Sequence, residues 1–154
     1  MIYQSPPLEA DLEICGYPVV SLQIASSEPD CAFFVYLEDV APDGRVYYLT
    51  EGQLRALHRK ISLAEPPYVM QTPYHSFKQA DALPLIPGEP AEITFGLQPI
   101  SALVRAGHRL RVGLAGCDRD TFTPVPAEGK PEWWIFRNAE RASWIELPVK
   151  GVLP

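Results

Sequence analysis

An all-β domain, two sheets packed as a sandwich in jelly-roll or Greek-key order, is the fold this sequence predicts. Three observations carry it. The chain holds 17 prolines in 154 residues; proline lacks an N–H and breaks helix interiors and central strands, so many short elements separated by turns are expected. Segment after segment alternates bulky and polar residues with a period of two, the mark of a half-buried strand. Residues 61–90 hold Pro66, Pro67, Pro73, Pro84, Pro87 and Pro90. That is one long crossover, of the kind that lets two sheets close over a shared core.

The strands follow in order. "YPVVSLQIA" at 17–25 sets Val20, Leu22 and Ile24 on one face and Val19, Ser21 and Gln23 on the other. "AFFVYLEDV" at 32–40 alternates Phe33, Val35 and Leu37 with Phe34, Tyr36 and Glu38. Both faces are bulky, which predicts a central strand covered on each side. "PDG" at 42–44 is a turn signal leading into "RVYYLT", so residues 33–50 read as a hairpin. Residues 52–60, "GQLRALHRK", fit either a helical turn or a strand, and the strand is preferred as a continuation of "YYLTE". The long connection 61–90 comes next, and such connections often carry function. "AEITFGL" at 91–97 points Ile93, Phe95 and Leu97 inward; residues 108–114 do the same with Leu110, Val112 and Leu114, leaving Arg109 and Arg111 opposite. "WWIFR" and "SWIELPV" supply two more strands.

Composition bounds the function. One domain with a real core fits the length. A net charge of −6 argues against a nucleic-acid partner, which calls for a basic face. No apolar run approaches the roughly 20 residues of a membrane span, so no membrane partner is expected. The start "MIYQSPPLEADLE" lacks a signal-peptide pattern. Cys15, Cys31 and Cys117 are odd in number and unpaired in spacing. They read as free, buried thiols of a reducing compartment, which places the chain in the cytoplasm. No short Cys or His spacing suggests a zinc site, and neither metal nor cofactor is expected.

Chemistry is sparse. "GHRLRVGLAGCDRDTF" at 107–122 gathers a histidine, a cysteine and two aspartates. On one strand His108 and Cys117 would stand about 30 Å apart at about 3.3 Å per residue, far beyond the contact a Cys–His pair needs. The stretch reads as a buried strand running into a polar loop, with Asp118 and Asp120 capping loop backbone N–H groups rather than binding a cation. There is no G-x-S-x-G elbow and no glycine-rich phosphate loop, so no catalytic residue is assigned. His58, with Arg55, Arg59 and Lys60, is either a base or part of a polar strand face. "PYHSF", with Tyr74, His75 and Phe77 on the long connection, is the best candidate for contact with something outside the domain. The competing reading is a loop packed over its own sandwich edge. Trp133, Trp134 and Trp144 suit either a sugar-stacking platform or the core.

The ordered set "PLEADLEICG", "FFVYLEDVAPDG", "TEGQLRA", "PYHSF", "PGE", "GHRLRV" and "DTF" resembles the C-terminal domain of the X-prolyl dipeptidyl-peptidase and cocaine-esterase (CocE/NonD) family of serine hydrolases. The likeness runs from about Pro7 to Pro148. It implies one jelly-roll, galactose-binding-domain-like sandwich over residues 1–154. It also implies an α/β-hydrolase catalytic domain as partner, in the same chain or in another, and self-association in some members. The Ser–His–Asp triad of the family lies outside this region. The resemblance therefore implies an accessory domain that packs on the catalytic domain of an acyl-bond hydrolase, a dipeptidyl-peptidase or esterase, and helps shape its substrate cleft. Arg55, His58, Arg59, Tyr74, His75 and Phe77 are the expected contact residues. The alternative is a free-standing carbohydrate- or ligand-binding module, and a self-contained enzyme ranks third. Cys31 stands where many members have aspartate or threonine before the "FF" strand.

Overall fold

The computed structural model describes residues 1–118 and 120–150. It is an antiparallel sandwich of two sheets. The strands are β1 (Ile2–Gln4), β2 (Leu12–Gly16), β3 (Val19–Ser26), β4 (Ala32–Val40), β5 (Val46–Arg55), β6 (Ala91–Gly96), β7 (Ile100–Val104), β8 (Arg109–Ala115), β9 (Trp133–Phe136), β10 (Trp144–Glu146) and β11 (Val149–Lys150).

One sheet has the order β1-β8-β4-β5. Its centre is β4, as the two bulky faces of "AFFVYLEDV" predict: Phe33, Val35 and Leu37 are fully buried, and Phe34 on the other face is 5% exposed. Phe122 tilts over Phe34 with ring centroids 5.1 Å apart, which explains how the outer face is covered. The β4–β5 hairpin turns at 41–45, and a bulge between Leu37 and Glu38 shifts its register.

The second layer consists of two ladders set end to end, β11-β2-β7 and β10-β3-β6 with β9 also on β3. Strand β2 pairs with β7, ending at Gly16 opposite Ile100, and β3 resumes with β6 at Val19 opposite Gly96. Two residues on one side face three on the other, so the register slips by one at Pro18 and Pro99. Proline cannot donate to a ladder, so the break falls where it does. Strands β9 and β10 both line the other side of β3, and β11 lines β2. The chain loops out between β9 and β10, and Ser143 bridges the gap: its Oγ accepts from Gln23 N at 2.9 Å and donates to Phe136 O at 2.8 Å.

The core lies between the sheets. Val20, Leu22 and Ile24 of β3 and Ile93, Phe95 and Leu97 of the β6 region meet Phe33, Val35 and Leu37 of β4, all 3% exposed or less. These triplets are the inward faces the alternation predicted. The prediction of a strand over residues 52–60 holds only to Arg55. A 3-10 turn, Ala56–His58, follows. Asp30 receives the backbone N–H of Leu57 at 3.0 Å and the guanidinium of Arg55, and this bends the chain away from the sheet.

Strand β8 settles the 107–122 stretch. His108 precedes it and Cys117 follows it, so they lie at opposite ends. His108 Nδ1 instead meets Asp39 Oδ1 of β4 at 2.8 Å. The expected capping role of Asp118 is corrected: its carboxylate accepts the Tyr36 hydroxyl at 3.0 Å. Burial and this bond push the Tyr36 phenol up to about 12. All three cysteines are free, but only Cys31 is fully buried, where burial raises its thiol to about 11.

Candidate functional site

The long connection, residues 61–90, lies along the edge formed by β5 and β6. It contains one short 3-10 turn, Gln79–Asp81. An irregular segment has no regular ladder of its own, so its buried backbone groups need individual partners. Ser62 N bonds to Tyr74 O, Leu83 N to Leu57 O, Leu85 N to Pro29 O and Gly88 N to Ser26 O. Leu85, 3% exposed, joins the core.

Side chains complete the attachment. Arg59 turns inward and donates to the carbonyls of Leu83 and, at 3.1 Å, Pro84; burial draws its pKa below the ordinary arginine value. His75 is 6% exposed. Its Nδ1 lies 3.1 Å from Lys60 O and its Nε2 3.0 Å from Thr94 O on β6. A neutral ring can donate to one of these carbonyls; the imidazolium can donate to both. Asp81 takes the Lys60 ammonium at 2.5 Å and the Ser76 hydroxyl at 2.6 Å, and these two donors hold its carboxyl below the usual range. Gly96 permits the close approach: a Cβ there would stand 2.3 Å from Thr72 Cγ2.

The six expected contact residues therefore separate into two groups. Arg59 and His75 are committed to carbonyls within the domain, and Arg55 is paired with Asp30. His58, Tyr74 and Phe77 remain at the surface. Phe77 is 62% exposed and sits at φ 54°, a left-handed conformation that costs a bulky residue roughly 1–2 kcal/mol. Its ring lies 5.1 Å from that of His58 and 6.2 Å from that of His75. A groove of about 410 Å³ runs beside it, lined by residues that include Tyr68, Met70, Tyr74 and Phe77 over the β5–β6 edge.

Leu63, Tyr68 and Val69 were missed by sequence reasoning. They are 101%, 66% and 94% exposed and extend the apolar surface of the same connection. Their signal is apolar residues in a proline-rich segment with no strand alternation, which leaves them no sheet face to bury. Larger apolar patches of this kind mark interaction surfaces.

The tryptophans do not form one platform. Trp133 packs edge-on against Phe33 at 5.5 Å, while Trp134 and Trp144 are about half exposed. Among the described residues no cluster of three or more His, Cys, Asp or Glu could hold a metal ion.

Residues 1–133 match the family described as the X-Pro dipeptidyl-peptidase C-terminal non-catalytic domain. A Mycobacterium bovis protein that carries a provisional serine-esterase name is 49% identical over 149 residues, covering 97% of this chain and 24% of its own length. A Mycobacterium tuberculosis protein with the same kind of name matches to the same extent. The chain thus spans about a quarter of the length of these relatives. Among solved structures, a CocE/NonD family hydrolase from Staphylococcus aureus superposes with a TM-score of 0.79 at 17% identity, over 97% of this chain and 30% of that one. An α-amino acid ester hydrolase gives 0.76 at 22%, over 97% and 25%. These two likenesses establish the shared fold. The chain belongs to the X-Pro dipeptidyl-peptidase C-terminal non-catalytic domain family.

Proposed function

From this membership we propose that the chain is the accessory β-sandwich of a serine hydrolase acting on acyl bonds, and that the outer face of the long connection docks on the catalytic α/β domain. The observation that carries the docking face is Phe77. A large aromatic ring is held out to solvent in a strained backbone conformation, above a connection anchored by Arg59 and His75. Strain of this kind persists only where the surroundings over-determine it. The His58 ring lies beside it, Tyr68 and Tyr74 line the adjoining groove, and Leu63 and Val69 are exposed on the same connection. Arg55, Arg59 and His75 act behind them by fixing the shape of the face. The domain walls one side of the substrate cleft and supplies no catalytic group. The free thiols support a cytoplasmic setting.

The test uses the full-length hydrolase. Tyr74→Ala with Phe77→Ala should lower kcat/KM or the half-life at elevated temperature by about tenfold, while the 154-residue chain carrying the same changes keeps its unfolding midpoint. Phe77→Gly removes the ring and relieves the φ strain together. It should stabilise the isolated chain by up to about 1 kcal/mol and still weaken the full enzyme. Full-length kinetics and heat resistance unchanged in both variants would reject the docking face.

A further inference from the structure

We propose that a cleft on the opposite edge of the sandwich, between β1 and the β9–β10 edge, binds a small organic anion with an apolar body: a one-ring aryl or branched-alkyl carboxylate. The cleft holds about 250 Å³. Its floor is the core itself, with Val20 and Leu22 of β3, Val112 and Leu114 of β8 and Ile135 of β9. An apolar cavity of roughly 150 Å³ suffices for benzene, and drug-sized ligands occupy roughly 300 Å³ or more. The size here selects a single ring or a short branched chain with a few further atoms.

The rim supplies one charge. Arg137 lies at the mouth with its guanidinium carbon 5.0 Å from the centre of the Tyr3 ring. Among the described residues no carboxylate lies within 4.0 Å of it. The aromatic face holds the guanidinium over the opening, and its fork of N–H donors matches a carboxylate. The other polar groups of the lining residues are neutral: the Ser143 hydroxyl donates to Phe136 O and accepts from Gln23 N, the Tyr3 hydroxyl donates to Met1 Sδ, and Trp144 carries an indole N–H. Selection for an anion therefore rests on Arg137, and selection for shape on the floor.

The probes are phenylacetate and its uncharged analogue 2-phenylethanol, titrated into the 154-residue chain and followed by the methyl NMR signals of Leu22, Leu114 and Ile135. Phenylacetate should give saturable shifts at all three and bind at least tenfold tighter than 2-phenylethanol. Arg137→Gln, at an exposed position, should weaken phenylacetate about tenfold and leave 2-phenylethanol unchanged. Val112→Phe should fill the cleft and abolish both; where that variant does not fold, Arg137→Gln still decides. Shifts that fail to saturate, equal binding of the two probes, or phenylacetate binding untouched by Arg137→Gln would overturn the proposal.

Discussion

Along β5 and β6 the gap between the sheets is shut by the irregular chain of residues 61–90; along β1, β9 and β10 it stays open down to the core. The closed edge needs polar anchors, because the backbone groups buried under the connection lose water and must be paired. Arg59 and His75 meet part of that need, at the carbonyls of Leu83, Pro84 and Lys60. The open edge needs few: Ser143 repairs one gap in the ladder, Arg137 stands over Tyr3 at the rim, and the floor is hydrocarbon. The difference teaches that covering a sandwich edge with loop is a polar problem, while leaving it uncovered leaves an apolar one.

The largest effect should come from pressing the two sheets apart beneath the closed edge. A Cβ at Gly52 would stand 2.7 Å from Gly96 O and 2.9 Å from Leu97 Cα. Backbone on the facing strand cannot rotate out of the way, so Gly52→Ala should destabilise by about 3 kcal/mol in urea unfolding. Next, His75→Ala should remove the buried ring that sits between Lys60 O and Thr94 O, at a loss of about 1–3 kcal/mol. Arg137→Ala on the open edge should stay within about 0.5 kcal/mol. Equal losses at the two sites would erase the distinction between the edges.

At neutral pH one further effect is silent and appears only in alkali. Cys31 lies in the core, and burial raises its thiol from 9.0 to about 11. The folded state then holds this proton more tightly than the unfolded state. Its contribution is complete below about pH 9 and is lost as the pH rises through about 11. Unfolding midpoints measured from pH 8 to 11 should fall, and Cys31→Ala should flatten part of that slope.

Strands β3, β4, β6 and β8 were legible because alternation is local, whereas β1, β2, β7 and β11 were not read. Val20, Leu22 and Ile24 point one way whatever they meet, and the same holds for Ile93, Phe95 and Leu97. Which of the expected contact residues turn inward was not legible. Arg55, His58 and Arg59 share a basic stretch, and only the 3-10 turn at Ala56–His58 decides that Arg59 faces inward while His58 meets Phe77. Leu63, Tyr68 and Val69 gave no periodic signal, because a segment outside any sheet has no period to show.

The sequence by itself determined an all-β sandwich, the identity of its central strand, the inward faces of β3, β4, β6 and β8 and the likeness to a hydrolase accessory domain. Those follow from alternation, proline placement and ordered motifs, all readable along the chain. Tertiary structure alone decided which edge is covered and which is open. It also paired His108 with Asp39, gave Tyr36 rather than a backbone N–H to Asp118, and set Arg137 over Tyr3. These partners lie 69, 82 and 134 positions apart. A contact across such a distance depends on strand order and register, which no local pattern encodes.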